Sequence, residues 1–170
     1  MNNQGQVIKA LKKPEAYNED VKKIELKQTH ISYVFLTKKF GYKIKKAVNF
    51  GFLDFSTLEK RHFFCEKELE LNKRLCEDMY LEVVSINKSK IIRINGEGIP
   101  IEYAVKMKRI PEEKIMTQLL EKRKIGKKII DKIAKIIAEF HKKARTSKKI
   151  SEFGSLPMIE NNWKENFDQT

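Results

Sequence analysis

No stretch of this 170-residue chain is apolar for long enough to cross a bilayer. The longest uncharged segments, such as His30 to Thr37, fall far short of the roughly 20 residues a membrane helix needs. The chain does not open on a charged, then apolar, then small-residue leader, since Met1 to Lys13 is polar and basic. Cysteine is scarce: Cys65 and Cys76 are the only two. A shared helix would hold them roughly 16 Å apart, too far to bond within it. Three scattered histidines without paired spacing give no zinc pattern. Internal repeats and low-complexity segments are missing as well. What is present is 41% hydrophobic and 35% charged, enough to build a core. A soluble, cytoplasmic, folded protein is expected, one domain or a domain with an appendage, its thiols packed as small apolar groups.

Charge is abundant and lopsided. The formal net charge is +13. Between Lys122 and Lys149 there are 12 Lys or Arg against only Asp131 and Glu139. Such a block can attract phosphate, nucleic acid or an anionic surface. The plainer reading is a solvated helix face, and few aromatics interleave with the charge as a nucleic-acid platform would need.

The hydrophobic pattern switches period along the chain. Met1 to Asp20 reads as a polar leader with one short amphipathic turn at Val7–Leu11, ended by Pro14. Lys22 to Gln28 and the β-branched, aromatic Ile31 to Thr37 read as strands. Lys38 to Gly41 reads as a tight connection, and Tyr42 to Val48 as the hairpin partner. The loop Asn49–Phe55 carries three aromatics around Gly51, so it should pack down on something. Ser56 and Glu59 fit a capping box for a helix running to about Leu75. Its expected inward stripe is Leu58, Cys65, Leu69, Asn72 and Leu75 or Cys76, widened by Phe64 and Leu71. Tyr80 to Ile86, Lys90 to Ile94 and Ile101 to Met107 read as strands, with a turn at Asn95–Gly98. Pro111 opens a helix with Ile115, Met116, Leu119 and Leu120. After Gly126 the apolar residues Ile129, Ile130, Ile133, Ile136, Ile137, Phe140 and Ala144 recur at helical spacing. Ser151 to Thr170 shows little periodicity. The fold class is therefore α+β: an antiparallel sheet with one inserted helix, then a helical part.

One constellation carries chemistry. On the third strand, Gly41, Lys43 and Lys45 share a face opposite Phe40, Tyr42 and Ile44. The glycine two residues before Lys43 should leave open space above the sheet. Glu68 follows 25 residues later at the margin of the helix's buried face, where a carboxylate needs a cation to offset desolvation. Two surface residues that never meet would be the plain alternative on spacing alone. A strand lysine fixed by a glutamate on the next helix is also how protein-kinase-like folds hold nucleotide phosphates.

The wider sequence resembles the N-terminal part of bacterial bifunctional aminoglycoside phosphotransferase/ATP-binding proteins. The likeness is carried by Thr29-His30-Ile31-Ser32-Tyr33-Val34-Phe35-Leu36-Thr37, by Tyr42-Lys43-Ile44-Lys45-Lys46, and by the specific run from Val48 through Glu59. Cys65-Glu66-Lys67-Glu68-Leu69, Tyr103 to Met107 with Arg109 and Pro111, Phe140-His141 and Phe153-Gly154-Ser155 extend it over nearly the whole chain. The resemblance implies a protein-kinase-like N-lobe over residues 1–108. A hinge and the first helices of a truncated helical C-lobe would occupy 109–170. It implies ATP as ligand, with Lys43 on the phosphates, Glu68 as its helix partner, and the loop Thr29 to Ser32 lying over the phosphates. Met107 to Ile110, with Arg109, would be the hinge that meets the adenine. Lys45 is the rival to Lys43, because it shares the face.

The chain departs from the resemblance where catalysis would lie. No His-Gly-Asp or Asp-Phe-Gly-like motif occurs in it, and neither His62 nor His141 has an Asp two residues on. No catalytic residue is expected within these residues, and the Mg2+ ligands would lie outside them. The family's P-loop domain leaves no trace either, for no Gly-x-x-x-x-Gly-Lys-Ser/Thr is present. Three readings stand open: the N-terminal portion of a small-molecule kinase with its C-lobe or P-loop domain encoded downstream; a non-catalytic, truncated or degenerate interaction domain; and, in third place, a basic nucleic-acid-binding module. No membrane partner is expected. His141 reads as a structural histidine and Trp163 as a packing anchor.

Overall fold

The first element of the chain is also part of its core. A computed structural model describes residues 3–168. Helix α1 (Asn3–Leu11) buries Val7 and Leu11 almost completely. The segment expected to be a polar leader is thus structural, because two apolar residues four apart suffice to seat one helix face. Pro14 does more than end it: it opens a 3-10 turn, Pro14–Ala16. The Tyr17 hydroxyl then donates back to the Leu11 carbonyl at 2.6 Å.

Six strands follow: β1 (Glu25–Gln28), β2 (Ser32–Leu36), β3 (Phe40–Lys45), β4 (Tyr80–Lys88), β5 (Ile92–Ile94) and β6 (Ile99–Lys108). They form one antiparallel sheet in the order β1-β2-β3-β6-β4-β5. Phe40 and Gly41, expected in a connection, belong to β3. The expected turn at Asn95–Gly98 is present. Gly98 has φ of +98°, and a Cβ there would lie 2.1 Å from the Lys88 carbonyl oxygen, so only glycine fits.

Register sorts the side chains onto two faces. Tyr42 pairs with Phe35 and Lys106, so Phe35, Tyr42, Ile44 and Ala104 share a face with Val84 and Ile86. That face buries the main core together with Val7, Leu11 and Tyr17. The opposite face carries Ser32, Val34 and Leu36 from β2, Gly41, Lys43 and Lys45 from β3, and Val105 and Met107 from β6.

Helix α2 (Leu58–Lys73) lies over β6 and β4. Its N-cap is Thr57, whose hydroxyl accepts from the Lys60 amide at 3.2 Å. Ser56, the expected cap, instead donates its amide and hydroxyl to Asp54. The helix stops at Lys73, and Leu71, Leu75 and Cys76 are exposed. Its buried residues are Arg61 and Cys65. Both cysteines are free, and Cys76 lies past the helix end.

The aromatic loop packs only in part. Phe55 is buried edge-on against Phe64, with ring centroids 5.2 Å apart. Phe50 is half exposed and Phe52 is 85% exposed, the two stacked on each other. The physical reason is a closed turn: the Phe50 amide donates to the Leu53 carbonyl, and Gly51 at φ +81° puts both rings at the tip.

The chain divides into two compact units, one through Ile115 and one from Met116. The second holds α3 (Met116–Glu121), α4 (Lys127–Lys143), α5 (Lys148–Glu152) and α6 (Leu156–Asp168). The stretch after Ser151, which shows little periodicity in sequence, is largely helical among the described residues. Before α3, Glu112–Lys114 forms a 3-10 turn instead of the helix start expected at Pro111. None of the described residues of α3–α6 is buried, and Trp163, expected as an anchor, is 63% exposed beside Phe167. No helix among the described residues is long and apolar enough to cross a membrane.

Helix α1 is thus predicted to be indispensable. Leu11→Ala should cost about 2–5 kcal/mol of unfolding free energy, read by urea denaturation. A cost under about 1 kcal/mol would mean that α1 is not part of the core.

Candidate functional site

The inward side of α2 is polar, and this sets the site. Arg61, Cys65, Glu68 and Asn72 succeed one another at spacings of four, three and four residues, one stripe of the helix. Arg61 donates through Nε to both oxygens of Glu102 on β6, at 2.9 and 3.0 Å. It also donates to the carbonyls of Phe55 and Ser56. Glu102 is fully buried and takes further hydrogen bonds from Gln4 on α1 and from the Tyr103 amide. These bonds fix the rotation of α2, and Glu68 lies two turns further along the same stripe.

There Glu68 meets both strand lysines. Its Oε1 accepts from Lys43 Nζ at 2.8 Å and its Oε2 from Lys45 Nζ at 2.7 Å. The lysines differ in surroundings. The Lys45 side chain is 8% exposed and its ammonium sits 4.8 Å from the centroid of the Phe55 ring, a cation–π contact. The Lys43 side chain is 29% exposed. Burial alone would raise the Glu68 carboxyl, but hydrogen bonds from Lys43 and Lys45 outweigh it and hold the group below its ordinary 4.5. Burial pushes the neighbouring Cys65 thiol up to about 12, so it is no nucleophile at neutral pH.

Gly41 does not leave open space. A Cβ there would meet Leu36 Cδ2 at 3.2 Å and Met107 Cγ at 3.3 Å, because those side chains close over the glycine. With Val34 they make a half-buried apolar floor that runs up to the Lys43 ammonium.

Thr29 and Ser32 close the β1–β2 turn on each other: the hydroxyls lie 3.0 Å apart, and the Ser32 amide donates to Thr29 Oγ1 at 3.1 Å. Ser32 is buried and pairs in register with Lys45. Met107 is a strand residue of β6, between Gly41 and Tyr80. Arg109 turns to the outer strands, donating to the Thr37 carbonyl and to Glu25, each at 3.0 Å. The structure therefore brings Lys43, Lys45 and Glu68 together with Met107 on one sheet face, and gives Arg109 different partners. Among the described residues, no group of three or more His, Cys, Asp or Glu could hold a metal ion.

Sequence reasoning missed Arg61 and Glu102. Spacing puts Arg61 seven residues before Glu68 on the same helix face, but nothing local links it to Glu102. His62, with no role expected, stacks on Tyr103 at a centroid distance of 3.8 Å.

No family model matches the chain, and no solved structure matches it. It is similar to the uncharacterized proteins Rv2004c of Mycobacterium tuberculosis and Mb2027c of Mycobacterium bovis, 29% identical over 143 residues in each case. The matched stretch is 84% of this chain and 27% of each relative. The chain thus spans about a quarter of the length of the curated relatives it matches.

The site has a pH signature. With its folded value depressed, Glu68 adds stability that is present above its ordinary 4.5 and lost as pH falls through the folded value. Glu68→Gln should therefore cost about 3 kcal/mol near neutral pH, and the gap to the parent should narrow steadily in acid. Urea denaturation across that range checks this. A gap that stays constant into strong acid would contradict it.

Proposed function

We propose that this chain is the nucleotide-phosphate-binding portion of an aminoglycoside-phosphotransferase-like small-molecule kinase, its first unit corresponding to a protein-kinase-like N-lobe. One observation carries the reading: a central-strand lysine and a glutamate on the following helix meet at 2.8 Å, at the end of an apolar strand face. The strand order β1-β2-β3-β6-β4, with α2 inserted after β3, fits the same reading.

The residues present suit ATP in two respects. Lys43 offers a partly exposed ammonium to phosphate oxygens. Val34, Leu36 and Met107 offer an apolar surface against which a flat base can lie. The turn at Thr29–Ser32 contributes less than the resemblance implies, since its hydroxyls are spent on each other. Bound Mg2+ would neutralise phosphate charge in phosphoryl transfer, and no pattern for holding it occurs in this sequence. The proposed role is therefore binding and positioning of the nucleotide. The acceptor would be held elsewhere.

A second reading, a non-catalytic interaction domain, is favoured by a separate observation. Ile129, Ile130, Ile136 and Ile137 on α4 are each between 39% and 51% exposed, and Phe153, Leu156 and Phe167 more so. Apolar surface of this extent favours association. Mass measured against protein concentration separates it from a monomeric nucleotide binder.

ATP at a hundred times its dissociation constant should add about 2.7 kcal/mol to the stability of the chain, a rise of several degrees in melting temperature. Lys43→Ala should abolish that rise. A variant that is stabilised by ATP like its parent would overturn the lysine's role.

A further inference from the structure

Glu68 holds two ammonium groups, one on each carboxylate oxygen. In a single lysine–glutamate pair one ammonium has to serve carboxylate and ligand together, because an ammonium that turned wholly to its ligand would leave a desolvated carboxylate without a partner. The second lysine changes this. Lys45 is enclosed, 8% exposed and seated on the Phe55 ring. Lys43 stands at the open side of the same carboxylate, beside the apolar floor. Two cations on one anion also leave the cluster with a surplus positive charge, which attracts a negative ligand.

The other groups that face the carboxylate do not alter this balance. Cys65 on the same helix is held neutral by burial. Tyr80 on β4 has its hydroxyl pushed up, first by burial and then by Glu68 itself, and is likewise uncharged at neutral pH.

We infer that Lys45 is a positioning residue, the standing counter-ion of Glu68, which frees Lys43 to leave the carboxylate for a di- or triphosphate without stranding a buried charge. The inference rests on the phosphate-binding reading above and divides the work of the two lysines: Lys43 touches the ligand, and Lys45 acts only through Glu68.

The test uses the full 170-residue chain and inorganic tripolyphosphate, titrated by calorimetry. Lys43→Met should lose binding by about a hundredfold while staying folded, since Lys45 still holds Glu68. Lys45→Met should weaken binding about tenfold, because Glu68 then keeps Lys43 for itself. Adding Glu68→Gln to Lys45→Met should recover most of that loss. Glu68→Gln alone reads what the loss of one negative charge does for anion binding, and its gain must be larger on the Lys45→Met background than on the parent, because a merely structural or anion-touching Lys45 would leave it equal in both.

The inference is overturned if the double variant binds no better than Lys45→Met, if Lys43→Met binds like the parent, or if the parent binds no tripolyphosphate. Should Lys45→Met fail to fold, the double variant decides alone, as it strands no carboxylate. Binding within about threefold of the parent supports the inference, and a hundredfold loss sinks it. A parallel ATP titration separates the two readings. The lysine pattern with tripolyphosphate, but no tighter binding of ATP, keeps this inference and removes the nucleotide reading.

Discussion

The ion pair between Arg61 and Glu102 governs the geometry of everything above the sheet. It is closed off from water and shared among α1, α2, β6 and the loop before α2. Removing one partner of such a pair costs about 3–5 kcal/mol, because the other charge is left buried and alone. A helix held by shape alone could rotate by a residue at small cost. A helix held by a guanidinium clamped onto both oxygens of a buried carboxylate cannot. Glu68 lies seven residues beyond Arg61, so the clamp aims it at β3, where Lys43 and Lys45 wait on alternate positions of one strand.

The same constraint explains why the first helix belongs to the site's support. Gln4 on α1 donates to Glu102 and to the Lys45 carbonyl, while its own oxygen accepts from the Ala47 amide. The N-terminal segment thereby pins the end of β3 and the pair that positions α2. The apolar side of α1 packs on one face of the sheet, and Gln4 in its first turn reaches the buried charge.

How much of this was legible in the sequence depends on the kind of signal. Strand order of appearance, the inserted helix and the α4 stripe follow from hydrophobic period, which is local, and they are found as expected. Lys43 and Glu68 were legible because strand alternation and helix position constrain them separately, and the structure joins them. The inward face of α2 was legible only in part: Cys65 and Asn72 were expected on it, and Arg61 was not. Its buried members are Arg61 and Cys65, with Glu68 and Asn72 in line, so a search for apolar periodicity selects Leu71 and Leu75, which face solvent. The role of Arg61 depends on Glu102, 41 residues away, and no local pattern reports it. The N-terminal helix was misread for the opposite reason. Two apolar residues, Val7 and Leu11, do its packing, and the lysines and glutamines around them dominate the composition. Phe50 and Phe52 misled because a turn closed by its own backbone can hold aromatics outward against their preference for burial.

The central claim is that Lys43 is the mobile, ligand-facing member of a three-charge cluster whose other two members stay paired. The most direct measurement is NMR of the lysine side-chain ammonium signals, assigned by substitution, with and without ATP. The account predicts that the Lys43 signal shifts on ATP addition while the Lys45 signal keeps its position against Glu68. A shift confined to Lys45, or no response from either lysine at saturating ATP, would contradict it.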